Sequence, residues 1–295
     1  MRDKEFCRLC PRECGVDRSE KTGFCRSGNE IRVAKAMLHQ WEEPCISGTE
    51  GSGAIFFSGC SLRCVFCQNY AISAQNFGQD ISANHLARIM LNLQDSGAHN
   101  INLVNPTHFV KQIMQALSMV KDRLTIPVVY NCGGYEKIET IKSLDGYVDI
   151  YLPDFKYFNN EIAKRYSAAP DYFERASSSI GEMIQQTGPL QFNGNLLTKG
   201  VIIRHMVLPM QYRDSIKIVE YIAKTYPRDC FLLSLLSQYT PMHRAAEFPE
   251  INRCITSFEY ETVCRRAEEL HLDGFIQKRQ AADKAYTPIF DLSGI

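Results

Sequence analysis

The sequence carries no excess of charge of either sign: 33 Lys and Arg residues stand against 33 Asp and Glu. No overall field gathers nucleic acid or an anionic membrane surface, so neither is expected as a partner. Long apolar runs are missing as well. None approaches the roughly 20 residues that cross a bilayer, and no stretch resembles a secretory h-region. The expectation is a cytoplasmic protein. No internal repeat or low-complexity segment interrupts the chain, which leaves a globular body. With 295 residues, 45% of them apolar, the chain is long enough for one large core, and barrels commonly reach this length as a single domain.

What the chain does have is cysteine, twelve residues of it. Without a secretory signal these read as thiolate ligands and buried thiols, not as disulfides. Seven fall in two groups. Cys60, Cys64 and Cys67 follow the apolar run Ala54 to Phe57, which predicts a buried strand ending in a cysteine loop. That spacing folds three thiolates around one inorganic centre, one ligand fewer than a closed site needs, and an open position is what a site doing chemistry keeps. A zinc loop completed by a distant residue is the alternative.

The second group is Cys7, Cys10, Cys14 and Cys25, four thiolates within nineteen residues separated by Gly and polar turn residues. Four ligands close one tetrahedral site, either structural zinc or an auxiliary iron-sulfur cluster, and spacing does not separate the two. Four free surface thiols are the alternative, although a short segment this poor in apolar residues needs a staple to hold shape. Cys45 stands alone and reads as an inert small hydrophobe. A Cys-rich extension over residues 1–50 and a main domain over 51–295 are the expected division.

After Tyr70 the periodicity alternates between strand and helix. Leu86, Ile89, Met90 and Leu93 mark a helix from Ser82 to Ser96, with Ser82 as N-cap and Gly97 as stop. Then come a strand from Asn100 to Val104, a helix from His108 to Lys121, a strand from Pro127 to Tyr130, a helix from Tyr135 to Leu144 and a strand from Val148 to Leu152. A helical region from Asn160 to Thr187 breaks at Pro170. A polar excursion, 188–200, precedes a strand from Val201 to Val207, a helix from Asp214 to Thr225, a strand from Cys230 to Leu236 and a helix from Glu259 to Leu270. Before the cysteine loop, Ile31 to Trp41 predicts one or two short strands, and Glu42-Glu43-Pro44-Cys45 with the Gly-rich stretch to Gly53 predicts a loop. Six strand–helix units imply a parallel α/β sheet with helices outside, too few for a closed eight-stranded barrel and suited to a partial (β/α)6 TIM-like one.

In such sheets ligands bind at the C-terminal strand ends. Asn105, Thr107 and His108 follow the second strand. Asn131 ends the third. Asp154 and Lys156 end the fourth; two residues apart, they point to one side and can pair with each other and with a zwitterionic ligand. Arg204 lies within the apolar fifth strand, where an unpaired charge is costly, so it should face an anion.

A strand followed by C-x3-C-x-aromatic-C, with Phe66 at the aromatic position, resembles the radical S-adenosylmethionine (radical SAM) superfamily. Asn131-Cys132-Gly133, Asp154-Phe155-Lys156 and Ile203-Arg204 resemble strand ends of its glycyl radical activating enzymes. The Cys-rich start and Cys67-Gln68-Asn69-Tyr70 look like an uncharacterised group akin to the pyruvate formate-lyase activating enzyme. The resemblance implies a 4Fe-4S cluster on Cys60, Cys64 and Cys67 with one iron open to S-adenosylmethionine, which is cleaved to a 5'-deoxyadenosyl radical. It implies cofactor contacts from Asn105, Thr107, Asn131, Asp154, Lys156 and Arg204, although Asn105-Pro106-Thr107 stands where relatives carry Gly-Gly-Glu-Pro and only the proline matches. It implies a low-potential donor, flavodoxin or ferredoxin, and as substrate a glycine of a partner glycyl radical enzyme. Another peptide or small molecule is the second reading; a non-catalytic zinc or iron-sulfur interaction protein is the third.

Overall fold

A computed structural model describes residues 6–277 and 288–295. The chain enters through a turn-rich segment, residues 6–30, that carries four of the cysteines. β1 (Ile31–His39) follows, then the one-turn α1 (Pro44–Ser47), β2 (Ser52–Phe57), α2 (Tyr70–Ser73), β3 (Gln79–Ile81), α3 (Ala83–Asp95), β4 (Ile101–Val104), α4 (Val110–Val120), β5 (Val128–Cys132), α5 (Ile138–Ser143) and β6 (Ile150–Pro153). The second half comprises α6 (Asn160–Ser167), α7 (Tyr172–Thr187), β7 (Gln191–Asn193), β8 (Leu196–Met206), α8 (Tyr212–Thr225), β9 (Phe231–Leu236), α9 (Ser257–Glu269) and β10 (Gly274–Ile276).

One sheet organises all of this, in the order β10-β9-β8-β6-β5-β4-β2-β1-β3, with β7 as a side arm on β8. From β2 to β9 the six expected strands run parallel to their neighbours. β10 adds a seventh parallel strand outside β9. β1 is antiparallel to β2 and β3 to β1. The sheet stays open between β3 and β10, a partial barrel with helices on its outer side. Among the described residues no helix is long and apolar enough to cross a membrane.

Strand periodicity divides the core in two. Tyr130, Tyr151, Val201 and Ile203 face the helices and join the main cluster of buried apolar side chains. Their neighbours Val129, Ile150, Leu152 and Ile202 turn to the concave face, where Cys45, Ile46 and Leu197 cover them. α1 therefore plugs that face. It begins with Pro44 in its first turn, where the missing N–H costs nothing. Helix ends follow local chemistry: the Ser82 hydroxyl caps α3 by accepting from His85 N–H at 3.2 Å. Thr256 and Glu259 form a reciprocal capping box on α9.

Several boundaries differ from expectation. β1 is one nine-residue strand, and although it lies within residues 1–50 it belongs to the main sheet. The 188–200 excursion is the exposed β7–β8 hairpin, turned at Gly194 with φ +59, so β8 starts at Leu196. Thr107–Phe109 form a 3-10 turn and the α-helix proper begins at Val110, after His108, while α5 starts only at Ile138, past the left-handed Gly134. At Gly134 a Cβ would overlap the Asp154 carbonyl, so this turn needs glycine. The break before Pro170 is present, with Ala168 left-handed at the end of α6.

Candidate active site

Concave-face residues change from apolar to polar toward the strand C-termini. Past Leu152 comes Asp154, past Ile202 comes Arg204, past Val129 comes Asn131 and past Leu232 comes Ser234. All four line a cavity of about 590 Å³, together with Cys60, Cys64 and Cys67 from the loop after β2.

That loop is held from several sides. Arg63 and Val65 N–H groups donate to the Ser167 and Tyr166 carbonyls at 3.1 and 2.9 Å, fixing it to the end of α6. The Cys60 N–H donates to the Cys25 carbonyl at 3.3 Å. Gly59 has φ +88, and a Cβ there would meet that same carbonyl oxygen at 2.5 Å, so only glycine lets the cysteine-rich segment approach this closely. Each cysteine sulfur has a polar neighbour. Cys60 Sγ accepts from Leu62 N–H at 3.4 Å, Cys64 Sγ accepts from the Ser167 hydroxyl at 3.0 Å, and Cys67 Sγ lies 3.2 Å from the Ser73 hydroxyl. Burial pushes the Cys60 thiol up to about 12 and Cys67 to about 11, and raises Cys64 against the pull of Lys156. Such thiols ionise only when a cationic centre displaces their protons.

Opposite the cysteines is a network of charges. Asp154 Oδ2 accepts from Lys156 Nζ at 2.5 Å and Asp154 Oδ1 from Arg204 Nε at 3.0 Å. Arg204 also donates to Asn131 Oδ1 at 2.6 Å and to Glu42 Oε2 at 3.4 Å. The anion that Arg204 faces is thus supplied by the chain itself. Burial opposes the charge on Asp154, but Arg204 and Lys156 outweigh it and hold the carboxyl below its usual range. The same balance runs the other way for the cations: burial disfavours charge on Lys156 and Arg204, and the acids around them nevertheless keep both pKa values raised.

Of the residues expected at the site, Asn105, Asn131, Asp154, Lys156 and Arg204 line the cavity with the three cysteines. Asn105 has φ +59, and its amide donates to the Gly59 carbonyl beneath the cysteine loop. Thr107 does not reach the cavity. It is 1% exposed, and its hydroxyl donates to Glu136 at 2.8 Å, because the left-handed Asn105 and the 3-10 turn carry it away from the strand end. His108 is likewise buried. Its Nε2 pairs with the Ser58 carbonyl at 2.7 Å, and burial lowers its pKa to about 3. Glu42 and Glu43, which the sequence predicts only as part of a loop, line the cavity from the segment before α1. An available signal was the buried Arg204, which demands a nearby anion.

The other four cysteines gather beside the loop, outside the cavity. Cys14 and Cys25 sulfurs both lie against Gly23, at 3.1 and 3.6 Å from where a Cβ would stand. Cys7 lies within electrostatic reach of Cys14 and Cys25, and Cys10 of Cys7 and Cys25. Arginines fasten the segment: Arg12 donates to the Ser61 and Ala168 carbonyls at 2.7 and 2.6 Å, Arg18 to the His108 carbonyl and Arg63 to the Phe24 carbonyl. The Arg12 and Arg63 guanidinium carbons lie 4.0 and 4.3 Å from the Phe24 ring centroid. Among the described residues, no three His, Cys, Asp or Glu side chains converge as a preformed site for a single metal ion.

An open parallel α/β barrel with three half-buried cysteines and a charged network at its strand ends defines a protein suited to work on a ligand at a thiolate-bound centre. A family model described as the radical SAM superfamily matches residues 54–188. A protein of Methanocaldococcus jannaschii, itself uncharacterised, is 35% identical over 281 residues, covering 90% of this chain and 75% of the relative. The chain belongs to the radical SAM superfamily. The solved structure of methylornithine synthase has the same fold at a TM-score of 0.50 and 12% identity, over 71% of this chain and 59% of that one. Streptococcus suis SuiB bound to the precursor peptide SuiA scores 0.49 at 16% identity, over 73% and 45%. The chain thus spans less than two thirds of the length of these two structures. Membership implies a 4Fe-4S cluster and S-adenosylmethionine, and the donor set fits: three cysteine sulfurs, each with a polar neighbour, on one wall of a cavity.

Proposed function

We propose that the chain is a radical SAM enzyme akin to the pyruvate formate-lyase activating enzyme, abstracting hydrogen from a substrate that enters the cavity. The observation that carries this is that three half-buried cysteines and a charged set of strand ends open on one space. Cys60, Cys64 and Cys67 would hold the 4Fe-4S cluster, and with S-adenosylmethionine it supplies, after one-electron reduction, the adenosyl radical that takes a hydrogen atom from a substrate carbon. The chain binds and orients. Lys156 and Asp154 present opposite charges side by side to a zwitterion, with Asn105 and Asn131 as polar neighbours. Arg204 is already bonded to Asp154, Asn131 and Glu42, so it fixes that geometry. Leu62, Phe66, Phe56 and Met206 line the same space and exclude water from it. Thr107, committed to Glu136, stays outside this set.

The first substrate reading is a glycine of a partner glycyl radical enzyme, on the likeness of the Asn131, Asp154–Lys156 and Arg204 strand ends to those activators. A different peptide or small molecule is the second, and the acidic end of the cavity at Glu42 and Glu43 favours it. Cys7, Cys10, Cys14 and Cys25 hold a second centre, zinc or iron-sulfur, that braces the cysteine loop or relays electrons to it. The electron donor in this reading is a low-potential flavodoxin or ferredoxin, and the many free cysteines suit a cytoplasmic setting.

Anoxic, iron-reconstituted protein given dithionite and S-adenosylmethionine should release 5'-deoxyadenosine. Iron-replete protein that releases none overturns the reading. A glycyl radical signal on a partner enzyme after incubation separates the first substrate from the second, and iron and zinc quantification assigns the second centre.

A further inference from the structure

Among the described residues, three carboxyl groups, Glu42, Glu43 and Asp154, line the space with two cations, Lys156 and Arg204, and burial raises the pKa of Glu42 and Glu43. Asp154 bonds both cations and Glu42 bonds Arg204. Glu43 is 7% exposed and has no ion pair among the described residues. Arg204 lies within electrostatic reach of it and Ser234 hydrogen-bonds its carboxyl, but Oε2 has no hydrogen-bond partner among the described residues. A buried carboxyl oxygen without a donor is costly to keep, and the cavity it lines is where a donor can arrive.

The neighbours narrow the donor's chemistry. Cys64 lies within electrostatic reach of Lys156, Lys156 pairs with Asp154, Asp154 with Arg204, and Arg204 with Glu42. Glu43 follows Glu42 in the chain and, like it, lies within electrostatic reach of Arg204, so it joins this network at the end away from the cysteines. Trp41, 62% exposed, and the apolar Met206, Leu236 and Phe275 line the same cavity. An apolar stem along such a lining, ending at a buried carboxyl oxygen without a donor, suits an alkylammonium group.

We propose that Glu43 forms a substrate subsite for a primary alkylamine cation, carried by a small molecule or by a lysine-type side chain of a peptide. This rests on the radical SAM reading for the reaction and adds the class of substrate. The ammonium donates to Glu43 Oε2 and holds that carboxyl ionised against its burial, while the stem lies along the apolar lining and presents its carbons toward the cysteine end. Because S-adenosylmethionine also carries an amino group, the test has to tell the two sources apart.

Trp41 is the sole tryptophan of the chain, so its fluorescence reports on the cavity. Reconstituted, anoxic holoenzyme saturated with S-adenosylmethionine is titrated with n-butylamine, n-butanol and butyrate, read by that emission and by calorimetry. The amine should bind at least tenfold more tightly than the alcohol, with butyrate weakest, and E43Q should erase that preference while E43D restores part of it. Equal affinity for amine and alcohol in the wild-type protein overturns the subsite without recourse to any variant. So does an E43Q protein that loses as much affinity for S-adenosylmethionine as for butylamine, which assigns Glu43 to the cofactor. The titration reads binding and the deoxyadenosine assay reads chemistry, so subsite and reaction fail separately.

Discussion

The two cysteine groups are neighbours, joined through the Cys60 N–H and the Cys25 carbonyl, yet they face opposite surroundings. Cys60, Cys64 and Cys67 sit on a loop after a fully buried strand and look into a cavity shared with five charged side chains. Cys7, Cys10, Cys14 and Cys25 sit among turns, gathered on one another and fastened by arginines, and none of them lines that cavity. Burial raises Cys10 and Cys60 alike to about 12, so acidity does not distinguish these two thiols. Ligand number and access do. Three sulfurs on a cavity wall leave a coordination position for a ligand, whereas four sulfurs away from that cavity are, under the function proposed above, enough to close a centre of their own and hold shape.

Removing one ligand from each group tests that contrast most severely. Loss of a hydrogen-bonding partner of a metal ligand costs about 10- to 100-fold, so Cys60→Ala, which deletes a ligand itself, should lower 5'-deoxyadenosine release by at least about 100-fold. Cys14→Ala should instead lower the metal content of the N-terminal segment and speed its proteolysis, with a loss of cleavage under about tenfold, as for a group acting on the site from outside. Equal loss of cleavage in the two variants would make the second group part of the reaction.

A smaller effect concerns Glu136, which lies within electrostatic reach of both Cys10 and Cys132 and so sits between the two regions. It is 1% exposed and accepts from the Thr107 and Tyr130 hydroxyls at 2.8 and 3.3 Å. Burial nevertheless raises its pKa from 4.5 to about 7. The folded state then binds this proton more tightly than the unfolded chain does. Its stabilisation is complete below pH 4.5, declines as pH rises toward 7 and is gone above that, a span of about 3 kcal/mol at most. Denaturant titrations should show wild-type stability falling over that window relative to Glu136→Gln; parallel curves would show that the carboxyl titrates in the fold as it does in the unfolded chain.

How far such features can be read from the sequence depends on what encodes them. The cysteine loop and the six parallel strands were legible because spacing and apolar runs are local signals, and Asp154 with Lys156 because a strand's period of two places both on one side. Glu42 and Glu43 carry no such signal. They reach the site only because α1 folds across the concave face, a tertiary event unrelated to the period of their own segment. Thr107 failed for the converse reason: its neighbour Asn105 is left-handed, and one such residue redirects every side chain after it. β10, three residues long, is too short for any pattern to show. The arginine clamps were invisible because each reaches a backbone carbonyl far away in the chain.

Those clamps give the smallest and most local prediction. Arg12 places Nε on the Ser61 carbonyl and Nη1 on the Ala168 carbonyl, so one half-buried side chain ties the cysteine-rich segment both to the cysteine loop and to the end of α6. Its guanidinium also lies over Phe24 and 5.0 Å from the Tyr135 ring centroid. A planar fork suits two divergent carbonyls and an aromatic face at once, which a lysine ammonium does not. Arg12→Ala should cost about 2 kcal/mol, the range for hydrogen bonds from a charged donor that is partly solvated. The loss should appear as faster hydrogen exchange over residues 6–30 and the Cys60 loop, with exchange in β5 and β6 unchanged, because the sheet's apolar core does not depend on this contact. Arg12→Lys should recover under half of it. Acceleration spread evenly over the sheet would instead make the cysteine-rich segment part of the cooperative core, and the contrast between a brace and a reaction site would then rest on the cavity alone.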